Sequence, residues 1–165
     1  MLAFLKDLIS NFILIVPMAS WFVASILKFI IASFSSKHIR LDRLHGDGGM
    51  PSCHTALVTS LVLISTWCLT AKSPVAAAAL VLALITINDA LGVRRETGKQ
   101  AVSINELADA FNAMFTEPDE QVRTEKLKVL VGHTPLQVVF GALVGVIVSL
   151  IFILAFGLTY GGMLA

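Results

Sequence analysis

Four long apolar runs dominate the chain, and the polar stretches between them hold most of its charged residues. A helix that crosses a bilayer needs about 20 consecutive, mostly apolar residues. By that measure the sequence predicts four transmembrane helices, at about 12–34, 53–71, 74–92 and 135–158. The last two begin at Ser73-Pro74 and Thr134-Pro135, each a capping residue followed by proline at the first helical position. The pattern therefore predicts an all-α fold, a polytopic membrane helix bundle that forms a single integral membrane domain over 1–165.

A cleaved signal peptide is the alternative interpretation of the first run, because Lys6 precedes an apolar stretch near the N-terminus. The apolar part of a signal peptide is usually about 7–15 residues long, and this run is longer. Pro17 lies inside the run and is expected to kink the helix. The length of the run therefore favours a retained transmembrane helix.

The basic residues are unevenly distributed along the chain, and their distribution predicts its topology. Nine of the twelve Lys and Arg residues lie in the two long loops, 35–52 and 93–133. Four spans place these loops on one side of the membrane and put both termini, with the short turn at Lys72-Ser73, on the other side. Because cytoplasmic loops carry an excess of Lys and Arg, both long loops are predicted to be cytoplasmic.

The composition agrees with a membrane protein and excludes an ordinary soluble domain. Hydrophobic residues make up 56% of the chain and charged residues 14%, whereas soluble domains have about 45–50% and about 25%. The net charge of +1 gives no indication of a nucleic-acid partner, and none is predicted. Cys53 and Cys68 have the spacing of neither a disulfide framework nor a metal site, and no metal or cofactor is predicted.

The second long loop, 93–133, is predicted to contain an amphipathic helix at about 102–115. Its apolar residues recur at roughly helical spacing: Val102, Ile104, Leu107, Ala108, Phe111, Met114 and Phe115. Glu106 and Asp109 lie between them, so one face is apolar and the other is charged. Such a helix is expected to lie in the membrane interface or to pack under the loop.

The sharpest local motif is the run GGMPSCH at residues 48–54. Gly49 permits unusual backbone angles, and Ser52 then opens the second spanning helix. The first turn of a helix presents unpaired N–H groups and a partial positive charge, which together favour an anion. A phosphate bound there would contact those N–H groups, the Ser52 hydroxyl and the His54 imidazole. The same residues also fit a glycine loop followed by an ordinary capped helix, and the local sequence leaves both interpretations open.

A second histidine, His133, lies at the start of the fourth spanning helix and on the same predicted side as His54. A lone histidine at a membrane interface is more often a structural hydrogen-bonding residue than a catalyst. Two histidines at two helix starts on one side allow a division of labour. One can attack phosphorus while the other protonates the leaving oxygen.

The run NDALGVRR at residues 88–95 carries the third group of candidates. Asp89 lies near the end of an apolar helix, where an acid is costly and is usually paired or functional. Arg94 and Arg95 follow at the interface. Their guanidinium groups match the oxygens of a phosphate, but a basic pair at this place also serves as a simple anchor at the membrane edge.

Three runs together resemble the divergent branch of the type 2 phosphatidic acid phosphatase superfamily, often described as related to acid phosphatases and vanadium-dependent haloperoxidases. These runs are GGMPSCHTA, NDALGVRRETGKQA and GHTPLQVVFGALVG, in that order along the chain. The resemblance covers nearly the whole chain, from the first span to the fourth. It implies a membrane phosphatase.

The resemblance assigns roles to individual residues. In the wider superfamily a Pro-Ser-Gly-His motif supplies the general acid. A later motif of Ser-Arg, five residues, His, three residues and Asp supplies the nucleophile and its orienting carboxylate. Ser52 and His54 match the first motif, with Cys53 in place of the glycine. His133 matches the nucleophile.

The chain departs from the superfamily pattern around His133. Gln137 stands where an aspartate is expected, and glutamine can accept a hydrogen bond from imidazole but carries no charge. Leu127 stands where the arginine is expected. The cationic candidates for phosphate binding that remain are Arg43, Lys126, Lys128, Arg94 and Arg95, with Lys28 and Lys37 next in position.

These observations predict a metal-independent membrane phosphatase that hydrolyses a lipid phosphate or diphosphate. The resemblance implies a phosphohistidine intermediate on His133 and proton donation by His54, with Asp89, Gln137 and Gly49 in supporting positions. The alternative is a non-catalytic membrane protein that binds, moves or organises anionic lipids with the same site. A haloperoxidase is disfavoured, because it needs vanadate held in a dry and strongly cationic pocket.

The predicted partners are a lipid phosphate and the surrounding membrane lipids. Gly141 and Gly145 match a small-residue pattern that follows the nucleophile in the same helix of the superfamily. Small residues allow helices to approach closely, so this pattern also permits a homo-oligomer.

Overall fold

The structure, a computed structural model, describes residues 1–36, 38–39, 49–114, 126–127, 129 and 132–162. Within these ranges all regular structure is helical, which confirms the predicted all-α fold. The helices are α1 (Leu2–Ser10), α2 (Phe12–Ser36), α3 (Cys53–Leu69), α4 (Pro74–Leu91), α5 (Val93–Asn112) and α6 (Pro135–Ala155). Three of the cationic candidates, Lys37, Arg43 and Lys128, lie outside the described residues.

Four apolar helical segments agree with the predicted four transmembrane helices. Among the residues that the structure describes, three stretches are long and apolar enough to cross a membrane: Phe12–Ser36, Pro74–Asn112, which joins α4 to α5, and Pro135–Ala155. Helix α3 is apolar but shorter, with 17 residues. At about 1.5 Å per residue its length is about 25 Å, close to the hydrocarbon thickness of about 30 Å.

Helix α5 begins at Val93, well before the predicted start of the amphipathic helix at 102. The apolar repeat that signals the helix starts only at Val102, because the preceding turns are polar. Those turns are nevertheless helical. The negative charge of Glu96, in the first turn, interacts favourably with the helix dipole, and its carboxylate pairs with Lys99 at 2.6 Å. Helix α5 therefore starts directly after α4, separated from it only by Gly92.

Helix α1 is an additional element that the apolar runs do not predict, because nine residues are too few to span a bilayer. It has no buried residue. Asn11 separates it from α2: the backbone of this residue is extended, and its side-chain oxygen accepts a hydrogen bond from the Ile13 N–H at 3.0 Å. The chain therefore turns at Asn11 before it enters the bundle.

Helix α3 lies at the centre of the bundle and packs against α2, α4 and α6. Small residues of α6 bring its backbone close to α3. A Cβ atom on Gly141 would collide with the Ser52 carbonyl oxygen, and one on Gly145 would lie 2.6 Å from the Ala56 carbonyl oxygen. The small-residue face of α6 is thus covered by α3 of the same chain. The homo-oligomer stays a prediction, and this face does not supply its interface.

Candidate active site

The N-terminal ends of α3 and α6 lie side by side, and this contact fixes the positions of the two histidines. The Ser52 N–H donates a hydrogen bond to the Gln137 carbonyl oxygen at 3.0 Å. Ser52 is the N-cap of α3, and Gln137 lies in the first turn of α6. His54, in the first turn of α3, therefore lies at the same end of the bundle as His133, which precedes α6.

Gly132 and His133 attach this end of the bundle to α4 and α5. The His133 N–H donates to the Ala90 carbonyl oxygen, in the last turn of α4, at 3.1 Å. Gly132 has a φ of +86°, in the left-handed region that favours glycine. A Cβ atom there would lie 2.5 Å from the Arg95 backbone nitrogen and 2.8 Å from the Arg94 carbonyl carbon. Both backbone conformation and space therefore require glycine at this position.

Both histidines line one small cavity, which we call the histidine cavity. It is lined by His54, Thr86, Asp89, Ala90, Arg94, Gly132 and His133. Its volume is about 20 Å³, enough for about one water molecule. His133 is buried, with 7% of its surface exposed, whereas His54 is exposed. The structure thus brings together the two histidines that are far apart in the sequence.

Asp89 and Arg94 form an ion pair in the lining of the histidine cavity. The Arg94 Nε lies 2.5 Å from the Asp89 Oδ2, and both side chains are partly exposed. An acid near the end of an apolar helix needs a partner, and Arg94 supplies the opposite charge. An exposed pair contributes little to stability, so its main consequence is to hold a guanidinium group beside the two histidines.

A second and larger cavity also includes His133, and we call it the outer cavity. Its volume is about 290 Å³. It is lined by Gly49, Arg95, Val129, Gly132, His133, Thr134 and Gln137. His133 is therefore common to the linings of both cavities. Arg95 belongs to the lining of the larger cavity, and Arg94 to that of the smaller one.

Gln137 orients the His133 ring. Its Oε1 accepts a hydrogen bond from the Thr134 N–H at 3.1 Å and lies 3.2 Å from His133 Nδ1. The Thr134 hydroxyl in turn accepts from the Gln137 N–H, so the two residues form a capping box at the start of α6. A backbone N–H only donates, so the Gln137 atom that faces Nδ1 is an acceptor. In the tautomer that carries its proton on Nδ1, the ring donates a hydrogen bond to this oxygen.

Ser52 is fully buried, and its hydroxyl oxygen caps α3. It accepts hydrogen bonds from the Thr55 N–H at 3.3 Å and from the Thr55 hydroxyl at 2.9 Å. Ser52 lines neither the histidine cavity nor the outer cavity. The predicted contact between its hydroxyl and a phosphate stays a prediction, and the geometry gives the residue a structural role.

We expect Ser52→Ala to destabilise the protein by about 0.5–2 kcal/mol, because it removes an N-cap. Ser73→Ala is the matched control, since Ser73 caps α4 at the opposite end of the bundle by accepting from the Val75 N–H at 3.2 Å. Thermal denaturation in detergent should occur at a lower temperature in both variants. If Ser52→Ala alone also weakened ligand binding by the folded protein, its hydroxyl would have to contact the ligand.

Lys126 lies away from the histidines. Its Nζ lies 2.8 Å from the Asp109 Oδ2, close to the C-terminal end of α5. Arg94 is at the other end of this helix, about 22 Å away at the usual rise per residue. The Asn105 amide holds the Leu127 backbone on α5 through two hydrogen bonds, of 2.9 and 3.0 Å. The segment that carries Lys126 and Leu127 is therefore attached to α5.

Two further residues lie at the cavities. Lys28, only a secondary candidate in the sequence, is buried in α2 with 5% of its surface exposed. A Cβ atom on Gly49 would lie 3.3 Å from Lys28 Cδ, so the lysine side chain lies beside the lining of the outer cavity. A buried lysine in an apolar helix is itself a signal of function. Thr86 lines the histidine cavity, and the sequence gives no signal for it because threonine is common in such helices.

Comparison with known proteins places the chain in a family. Residues 9–148 match the Divergent PAP2 family. The chain is 35% identical over 151 residues to the uncharacterized membrane protein YuiD of Bacillus subtilis (strain 168). That match covers 88% of this chain and 96% of the relative. No solved structure matches the chain. The apolar helices and the membrane-protein relative agree on an integral membrane protein, and this chain belongs to the Divergent PAP2 family.

Proposed function

We propose that this protein is a metal-independent membrane phosphatase that hydrolyses a lipid phosphate or diphosphate. The observation that carries the proposal is the histidine cavity, in which His54 of α3 and His133 before α6 meet beside Arg94. Phosphoryl transfer through a covalent intermediate requires a nucleophile and a proton donor. Two imidazoles on separate elements can supply these two groups. The family description, Divergent PAP2, supports a relationship to phosphatases.

The reaction proceeds in two steps through His133. Its Nε2 attacks phosphorus, a P–N bond forms, and the bond between phosphorus and the lipid oxygen breaks. Protonated His54 donates a proton to the leaving oxygen. His54 then takes a proton from a water molecule that attacks the phosphohistidine, which releases phosphate and restores both histidines.

The arginines stabilise the charge that develops on the phosphoryl oxygens. Arg94 contributes from the histidine cavity and Arg95 from the outer cavity. The histidine cavity has room for only about one water molecule, so the phosphate also occupies part of the outer cavity. As it binds, its oxygens replace Asp89 as the partner of the Arg94 guanidinium, whose planar fork fits a phosphate.

A lipid is the substrate that suits this location. The cavities lie at the ends of α3 and α4 and at the start of α6, where apolar spans meet the polar loops. An amphiphile can place its headgroup among the loops while its hydrocarbon part stays in the bilayer. We propose that this end is cytoplasmic and that both termini lie on the opposite side, because the basic residues are concentrated in the long loops.

A second candidate function is the binding, movement or organisation of anionic lipids without hydrolysis. The observation that favours it is the neutral partner of His133: Gln137 orients the ring but adds no negative charge to stabilise an imidazolium. The same arginines would serve this function by holding the headgroup.

Phosphate release by the purified protein separates the two functions. The protein in detergent is supplied with a panel of lipid monophosphates and diphosphates, and inorganic phosphate is measured over time. The phosphatase proposal expects release from at least one lipid and inhibition by vanadate, which mimics five-coordinate phosphorus. Lipid binding without release from any member of the panel would leave the second candidate.

We expect Gln137→Leu to reduce phosphate release by about 10-fold to 100-fold, because the His133 ring loses the acceptor that orients it. Gln137→Glu is the matched control: it keeps an oxygen for both His133 Nδ1 and the Thr134 N–H, and it adds a charge. We expect it to retain or exceed wild-type activity. Equal loss in both variants would show that the capping box, and not the orientation of His133, matters at this position.

A further inference from the structure

An apolar groove lies between α3 and α4, and we call it the α3–α4 groove. Its volume is about 270 Å³. It is lined mainly by Val62, Leu63, Leu80, Ala83, Leu84 and Ile87. Thr59 adds a single hydroxyl to this apolar lining. The groove exists because α3 and α4 approach through small residues such as Ala83, which is buried, while larger neighbours such as Leu84 project outward.

The groove and the histidine cavity follow one another along the same two helices. Thr59, in the groove, is about 8 Å along α3 from His54, and Ile87 is about 3 Å along α4 from Asp89. Leu63 and Leu80 form the other end of the groove. Leu63 is about 14 Å along α3 from His54, and Leu80 is about 14 Å along α4 from Asp89. The groove thus extends along α3 and α4 from near the level of the histidine cavity into the apolar part of the bundle, and the two share no lining residue.

The lining determines which part of an amphiphile the groove can accept. Six of its seven residues are aliphatic, none is charged, and Leu80 and Leu84 are half exposed on the outer face of α4. A hydrocarbon chain fits this lining, whereas a headgroup would lose its hydration there without gaining a partner. The charged and hydrogen-bonding groups instead lie beyond the groove along the two helices, at His54, Asp89 and Arg94 in the lining of the histidine cavity.

We propose that the α3–α4 groove holds a hydrocarbon chain of the lipid phosphate and so directs the phosphate to His54 and His133; this inference rests on the proposed function. The shape of the groove positions the hydrocarbon chain. Lipid tails are as apolar as leucine, so moving a chain from the bilayer into the groove gains little hydrophobic free energy. The gain is position, since a chain lying in the groove brings its own headgroup to the histidine cavity from within the membrane.

Filling the groove tests this proposal. Leu84→Trp places a large ring in the groove, and Leu82→Trp is the matched control, because Leu82 is similarly exposed on the opposite face of α4. Hydrolysis of a long-chain phosphatidate in vesicles is compared with hydrolysis of phenyl phosphate, which has no chain. Displacing a reacting group by about 1 Å can cost about 100-fold in rate. We therefore expect Leu84→Trp to lower the rate on phosphatidate by about 10-fold to 100-fold while phenyl phosphate is hydrolysed as before.

Photolabelling tests the groove without relying on hydrolysis. Wild-type protein in vesicles is labelled with a phosphatidate that carries a diazirine on its acyl chain, with and without excess unlabelled phosphatidate. We expect labelling of the groove to be suppressed by the competitor, while labelling around Leu82 is not. In Leu84→Trp and Leu80→Trp, two variants in which a tryptophan fills the groove, we expect the label that the competitor suppresses to be lost.

The outcomes separate failure of the groove from failure of the proposed function. An unchanged rate of Leu84→Trp on phosphatidate, or groove labelling that the competitor does not suppress, would overturn the groove. Absence of hydrolysis by the wild type would overturn the phosphatase, while the competed label would still support a chain-binding groove. If Leu84→Trp loses activity on both substrates, the photolabelling of the wild type decides.

Discussion

Replacing His133 with alanine should reduce phosphate release by about 1,000-fold or more, because the variant has no group that can form the covalent intermediate. The substitution also leaves Gln137 with its capping partner Thr134, so the start of α6 should stay intact. His54→Ala should lose less, about 100-fold to 10,000-fold, the usual contribution of a general acid. Initial rates with the best substrate of the wild type provide the measurement.

His38→Ala is the matched control for these two variants. His38 is exposed near the end of α2 and lines neither the histidine cavity nor the outer cavity. Its replacement should leave the rate unchanged. Activity that survives His133→Ala would exclude the phosphohistidine while leaving the enzyme. Trapping a phosphorylated protein with the wild type, but not with His133→Ala, would identify the intermediate directly.

The second large effect is expected from Gly132→Ala. A residue with a Cβ pays about 1–2 kcal/mol for the left-handed conformation, and close overpacking adds about 1–3 kcal/mol. The atoms that the new methyl would meet belong to the Arg94 and Arg95 backbone, which cannot move aside as a flexible side chain can. We expect a total destabilisation of about 2–5 kcal/mol, and a displaced His133 with a loss of about 100-fold in activity.

Gly157→Ala is the control that separates backbone strain from steric collision of the new methyl group. Gly157 also has a positive φ, of +60°, but a Cβ there would meet nothing within 4 Å. This control should show only the cost of the backbone conformation and should keep full activity in the folded protein. Thermal denaturation and initial rates are measured on all three proteins. If Gly132→Ala were no worse than Gly157→Ala, the packing of Gly132 against α5 would not position His133.

The sequence predicted the spans because crossing a bilayer imposes a long apolar run that is visible without any tertiary information. It located the starts of α4 and α6 for a similar local reason, since Ser73 and Thr134 each precede a proline. It placed the start of α5 too late, because the polar turns after Gly92 carry no apolar repeat. It missed α1, which is too short to count as a span.

The site residues divide in the same way. His54 and His133 were chosen as candidates from local motifs, because each lies at a helix start, and the structure shows that both line one cavity. Lys126 was a reasonable candidate by its distance along the chain from His133. The structure places it on Asp109 instead, because Asn105 holds the adjacent backbone on α5.

The helical membrane architecture and the residue types at the candidate site follow from composition and local pattern, and both can be recognised in the sequence. Which of these groups meet depends on the tertiary structure. Long-range contacts, the Ser52 bond to Gln137 and the His133 bond to Ala90, bring separate helices together. The arrangement of Gly132 on α5 and the open groove beside Leu84 likewise depend on how helices approach one another. Such approaches depend on the shapes of both partners, which no single run of residues contains.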